Sequence, residues 1–185
     1  MFRDTTLGGN MSYYFFDEIM HRMITYNVPD IKRINHAMKV FSFTQALCFG
    51  ENAKPNIQIV AGITGILHDI GIHEAENKYN STAWDYQEKE GPPIAKEMLE
   101  DIQIDKRIKE RCYYIIGNHH SYEKIDGLDF QILVEADFFV NIDEDGRGRI
   151  GRHHLAEKTF KTKTGKEILG KIFSLNNADD APKCQ

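Results

Sequence analysis

Disulfide chemistry has little to work with in this chain. Its 185 residues include three cysteines, Cys48, Cys112 and Cys184, odd in number and scattered without a CxxC pair. They read as free thiols of a reducing compartment, not as a framework of bridges. Long apolar runs are missing too. The longest, from Ile59 to Leu67, is about nine residues against the ~20 that a membrane-spanning helix needs. Nor is there an excess of positive charge: 23 Lys and Arg face 28 Asp and Glu, a net charge of -5. That balance argues against a general binder of nucleic-acid polymers, because phosphate backbones demand clustered cations. The N-terminal stretch carries Asp4, Asp17 and Glu18 and lacks an apolar h-region, so no signal peptide is expected and a cytoplasmic protein is. Repeats, low-complexity tracts and a linker long enough to divide the chain are all wanting. Strand-like alternation is scarce.

What remains is an ordinary globular composition, 41% hydrophobic and 28% charged, in a chain long enough for one domain, 1-185, with a real core. The expected fold class is all-α. A first helix rich in Phe, Tyr and Met is expected over 11-26. Pro29 and Asp30 then give a start signal for a second, in which Ile31, Ile34, Met38 and Phe41 recur at helical spacing as far as Gly50. Pro55 opens a third, with a stripe of Ile59, Ile63, Ile66 and Ile70 that stops at Gly71. The polar stretch from His73 to Gly91 reads as an irregular connection of ~20 residues, a length that tends to be functional or mobile. Pro92 and Pro93 begin a helix to about Asp101, and Asp105 to Gly117 forms the next. A strongly apolar helix follows over Leu128 to Ile142. The Gly- and charge-rich DEDGRGRIG reads as a loop, and Thr164 to Phe173 as a last short helix before a polar tail.

Against this background, His36, the pair His68-Asp69, and Asp137 stand out. Two imidazoles and two carboxylates offer two nitrogens, two or more oxygens and two negative charges. That set suits one divalent transition ion such as manganese, iron, cobalt, nickel or zinc. Asp137 lies on the buried face of its helix with Leu133, Ala136 and Val140, where a carboxylate is expensive unless it is paired or bound to a metal. A salt bridge or a position at the rim would satisfy it equally well. His68 and Asp69 end the most hydrophobic helix of the chain. Adjacent helical residues point about 100° apart, so a shared ion must sit where that helix ends. His36 stands mid-helix, and a carbonyl-bonded histidine at the core edge is the commoner explanation for any isolated His.

Supporting groups can be found around these. Arg33, one turn before His36, could clamp a phosphate through its planar fork or simply be a solvated surface arginine. His119 and His120 end a helix and could ligate, donate protons or complement its C-terminus. Gln87 and Glu90 lie in a carboxylate-rich segment suited to acid–base work or to a solvated first turn.

Taken together, Arg33-Ile34-Asn35-His36, Leu67-His68-Asp69-Ile70-Gly71, Gly91 with Ile94-Ala95, His119-His120 and Glu135-Ala136-Asp137 resemble the HD-domain metal-dependent phosphohydrolase superfamily, and within it a group of small uncharacterised hydrolases. The resemblance covers most of residues 31-142. It implies a bundle of about five core helices over 28-145, with a helix before it and a helical extension over 150-175. It also implies that His36, His68, Asp69 and Asp137 hold a metal and that the substrate is a small phosphate ester such as a nucleotide, cleaved by a metal-activated water. Catalytic roles then fall to Asp69, His119 and Arg33, and substrate contacts to Arg33, Lys78, Gln87, Glu90 and His120. The chain departs from the pattern at two points. Gln87 stands where dinuclear relatives place a His, which points to one metal. Ile72 stands where relatives often have a Lys, a basic contact that Lys78 could replace. Two other readings keep the same fold: a nucleotide-sensing or partner-binding module without turnover, and a dinuclear-iron oxygenase, which Gln87 disfavours. No nucleic-acid polymer or membrane partner is expected, and assembly with further copies of the chain is left open.

Overall fold

The computed structural model describes residues 14–144 and 158–179, and every regular element among them is helical. In chain order these are α1 (Tyr14–Asn27), α2 (Ile31–Gly50), α3 (Pro55–Leu67), α4 (Ile72–Tyr79), α5 (Trp84–Leu99), α6 (Lys106–Ile116), α7 (Leu128–Glu144) and α8 (Lys163–Asp179), with a 3-10 turn at Tyr122–Lys124. The expected first helix starts at Tyr14 within the described residues, and most of the expected DEDGRGRIG loop lies outside them.

The local rules fix several boundaries. The Asp30 carboxylate accepts from the Lys32 and Arg33 amides and so starts α2, an arrangement worth ~1 kcal/mol. Pro55 occupies the first turn of α3, where its missing N–H costs nothing. Asp105 caps α6 through the Arg107 amide.

The middle of the molecule is α3. Every residue from Ile59 to Leu67 is buried, so the expected isoleucine stripe is in fact a helix covered on all sides, by α1, α2, α6 and α7. Such a helix needs small residues where neighbours come close. At Gly65 a Cβ would stand 3.0 Å from the Thr44 methyl and 3.2 Å from the Phe41 Cα. That close crossing brings α2 against α3.

Four departures from the sequence expectations shape the site. First, α3 ends at Leu67 and not at Gly71. Residues 68–71 form a tight corner, with the Ile70 amide donating to Leu67 O and the Ile72 amide to Asp69 O. Gly71 has an ordinary φ of −78° and is required by proximity. A Cβ there would collide with the Gln87 carbonyl and stand 2.6 Å from the Gly91 nitrogen. Second, His73 to Gly91 is not an irregular connection: it holds α4 and the first half of α5, broken only at Asn80–Ala83. Asn80 stops α4 in the left-handed conformation at φ 50°, which Asn tolerates. The helices escape notice because they are polar outside, with Ala75 the buried residue of α4. Third, Pro92 and Pro93 lie inside α5. Proline normally breaks a helix interior, but here its ring faces Gly117 at the end of α6, where any Cβ would be 3.0 Å from the Pro92 Cγ. Fourth, the last helix runs on to Asp179, since neither Gly nor Pro stands between Gly170 and Pro182.

The C-terminal extension is fastened by two buried anchors. Glu135, with no exposed surface, accepts from Gln131 Nε2 and from the Lys161 and Thr162 amides at 2.6–2.9 Å, and from the Thr162 hydroxyl. Phe160 fills the space beside Phe138 and Phe139.

Candidate metal centre

The α2–α3 crossing, the corner after α3 and the middle of α7 converge on one point. His36 comes from α2, His68 and Asp69 from the corner, and Asp137 from α7. His36 Nε2 lies 3.1 Å from Asp137 Oδ1, 3.2 Å from His68 Nε2 and 3.5 Å from Asp69 Oδ2. His68 Nε2 lies 3.4 Å from Asp69 Oδ2 and 3.6 Å from Asp137 Oδ1. The 100° between adjacent helical residues therefore poses no obstacle. Once the helix turns at His68, both side chains face the same way.

His119 joins this knot from the turn after α6. It is buried, its Nδ1 donates to Ile116 O at 2.8 Å, and its Nε2 comes within 3.3 Å of Asp69 Oδ1. That nitrogen has no hydrogen-bond partner among the described residues. An unpartnered buried nitrogen is costly, and one aimed at a carboxylate already shared by two imidazoles fits a coordinating group. His36, His68 and Asp69 offer ligand atoms all within 4.8 Å of one another, as do Asp69, His119 and His120.

The electrostatics favour a cation. Burial opposes ionisation of Asp69, but His68 and His119 hold its carboxyl well below the usual range. Asp137 is partly buried, and His36 and His68 likewise lower its pKa. Burial works against the His68 cation, yet Asp69 and Asp137 raise its pKa well above that of free histidine. Carboxylates kept charged among imidazoles that share protons are a donor set that accepts a divalent ion in exchange for those protons. His120 differs: burial, and then the charge of His119, push it down to about 4, so near neutral pH it is a free base.

Comparison with known proteins bears on the fold. The chain superposes on the crystal structure of a predicted HD superfamily hydrolase from an uncultured Thermotogales bacterium, with a TM-score of 0.63 and 20% identity, over 88% of this chain and 87% of that one. The fold is that of an HD domain. No protein-family model matches the sequence, and no curated protein matches it.

Within the HD fold the remaining expected residues have distinct surroundings. Gln87 lies over the histidine turn, its Oε1 3.3 Å from His120 Nε2 and its Nε2 donating to Thr82 O. Arg33 faces the Asp30, Glu76 and His73 side chains, with its shortest ion pair to Glu76 at 2.7 Å. Lys78 and Glu90 are joined to each other at 2.7 Å, with the Tyr79 hydroxyl also donating to Glu90. This pair ties α4 to α5, and none of its contacts is to the four converging side chains.

Two further residues serve the centre: Glu88, from the carboxylate-rich segment before Gly91, and Glu144, which the sequence does not mark. Glu88 accepts from the His120 amide at 2.9 Å and from the Ser121 hydroxyl, which fixes the turn carrying His119 and His120. Glu144 lies 2.8 Å from His36 Nδ1. It stands two helical turns beyond Asp137 and so on the same face; the helix runs two residues past the expected end at Ile142, which is what brings this carboxylate onto it.

Proposed function

We propose that this chain is a metal-dependent phosphohydrolase of a small phosphate ester, in the first instance a nucleotide. The observation that carries the reading is the convergence of His36, His68, Asp69 and Asp137, with the unpartnered His119 nitrogen beside them. A set of two imidazoles and two carboxylates leaves open positions on a divalent transition ion, which when bound acidifies a water and polarises a phosphoryl oxygen.

The protein's own groups complete the chemistry. Asp69 contributes one oxygen to the centre and the other towards His119, so it can orient an attacking water from the ligand side. His119, held by Ile116 O through Nδ1, keeps Nε2 aimed inward and is placed to exchange a proton with the leaving oxygen. His120 and Gln87 form the adjoining wall and offer a neutral acceptor and an amide to the substrate. Arg33 supplies positive charge one turn from His36, although Glu76 and Asp30 already share its fork. Lys78 and Glu90 act on the substrate through the wall they brace, where α4 meets α5.

One ion per chain is the primary reading, because Gln87, a poor ligand, faces His120. The Asp69, His119 and His120 group favours a second reading in which these three would hold a further ion, and metal stoichiometry decides between them. The test is a panel of phosphate esters offered to metal-reconstituted protein, with His68→Ala and Asp137→Ala alongside. Phosphate release that needs the metal and disappears in both variants is expected. Metal held at full occupancy without turnover of any ester would turn the reading to a non-catalytic sensing module. The described residues contain no helix long and apolar enough to cross a membrane.

A further inference from the structure

A histidine that gives Nε2 to an ion must carry its remaining proton on Nδ1, and that proton needs an acceptor to fix the ring. His68 and His119 solve this within their own helical turns. His68 Nδ1 faces Gly65 O at 3.3 Å, and His119 Nδ1 faces Ile116 O at 2.8 Å, each three residues upstream. His36 has no such carbonyl among the described residues. Its Nδ1 meets Glu144 Oε2 at 2.8 Å, across 108 residues of chain. The other Glu144 oxygen receives the Lys39 ammonium at 3.0 Å, and Lys39 lies one turn beyond His36 on α2. The carboxylate is thus gripped from α2 at both oxygens, while it projects from the end of α7.

We propose that Glu144 is a positioning residue of the metal centre. It holds His36 as the Nδ1–H tautomer, fixes the plane of the ring and makes Nε2 a better donor, with Lys39 aiming the carboxylate. This rests on the metal-centre reading above. The arrangement also gives the C-terminal end of α7 a task. Asp137 supplies a ligand, and two turns later Glu144 orients a second ligand on another helix, so one helix sets both.

Metal affinity, measured by competition with a chromogenic chelator, tests this on the full chain with Mn(II) or Zn(II) as the probe. Removal of such an outer partner typically weakens binding about 10- to 100-fold. Glu144→Ala should fall in that range, while Glu144→Gln, whose amide oxygen still accepts from Nδ1–H, should stay within about fivefold of wild type. Nitrogen-15 spectra of the imidazoles should show the Nδ1–H form of His36 in wild type and Glu144→Gln, and a mixture of tautomers in Glu144→Ala. A merely structural tie between α7 and α2 would lower the melting temperature of the metal-free protein without changing that signature. The proposal is overturned if Glu144→Ala binds metal within about threefold of wild type. It is equally overturned if Ala and Gln weaken binding alike with the tautomer unchanged. Wild-type protein that binds neither metal would instead refute the metal centre itself, so the two failures are distinguishable.

Discussion

Gly71→Ala should be among the costliest single-methyl changes in this protein, and the reason is tertiary contact alone. The backbone at Gly71 has φ −78°, which alanine adopts freely. By chain entropy the substitution should therefore stabilise the fold by about 0.4–1 kcal/mol. The added methyl, however, would run into the Gln87 carbonyl and stand 2.6 Å from the Gly91 nitrogen and 3.0 Å from its Cα. All three atoms are backbone of α5, so relief requires a shift of the helix against the His68-Asp69 corner. Overpacking of this kind costs typically 1–3 kcal/mol, and backbone obstruction places it at the upper end, ~3 kcal/mol. Net of the entropic gain the loss is ~2 kcal/mol, which for a chain of this size corresponds to a fall in melting temperature of roughly 4–8 °C. Gly170→Ala, in α8, provides the control. Nothing stands within 4 Å of its methyl, and Ala gains about 0.5–1 kcal/mol of helix propensity over Gly. A change within about 1 kcal/mol is expected there. Thermal melts of the metal-free proteins followed by circular dichroism decide the matter. If Gly71→Ala melts at or above wild type, or Gly170→Ala proves the costlier, then the close approach of α5 to the corner is wrong.

Two other perturbations follow from the same structure. Glu135→Ala removes the acceptor of the Lys161 and Thr162 amides and of the Thr162 hydroxyl. At about 1–3 kcal/mol for each unsatisfied buried group, it should cost ~3 kcal/mol or more in urea unfolding, with Glu135→Gln milder; a loss under about 1 kcal/mol would refute the anchor. Burial disfavours the charged form of Glu51, but the Thr164 amide prevails and lowers its pKa. The stabilisation it gives is thus complete above the unfolded-state value, about 4.3, and lost as the pH falls through the lower folded value. Wild type should therefore melt above Glu51→Gln near neutrality, and the gap should close as the pH falls below the ordinary carboxylate value; a gap constant with pH would exclude this linkage.

The sequence by itself determined the helical class, the caps at Asp30 and Asp105, the start of α3 at Pro55 and the identity of the converging set. Each of these depends on local stereochemistry or on a side chain too costly to bury without a partner, as with Asp137 on an apolar face. The HD pair was legible for the same reason, because a charged dipeptide ending the most hydrophobic helix demands an explanation. Only the tertiary structure decided the rest. Residues 73–91 read as irregular because α4 and α5 bury small residues, Ala75, Gly91 and Ala95, and hydrophobic periodicity registers bulk. Gly71 looked like a helix stop, while its actual constraint is α5 passing over it, a contact no local rule contains. The same holds for the partners of the site. Glu144 meets His36, Glu88 holds the His120 amide, and Lys78 meets Glu90 instead of an open cleft. Charged side chains on polar helix faces look alike in sequence. Which of them are drawn to the centre is set by how α2 and α7 cross α3 and how α5 passes over the corner after it, and those approaches depend on the absence of a methyl group at Gly65 and Gly71.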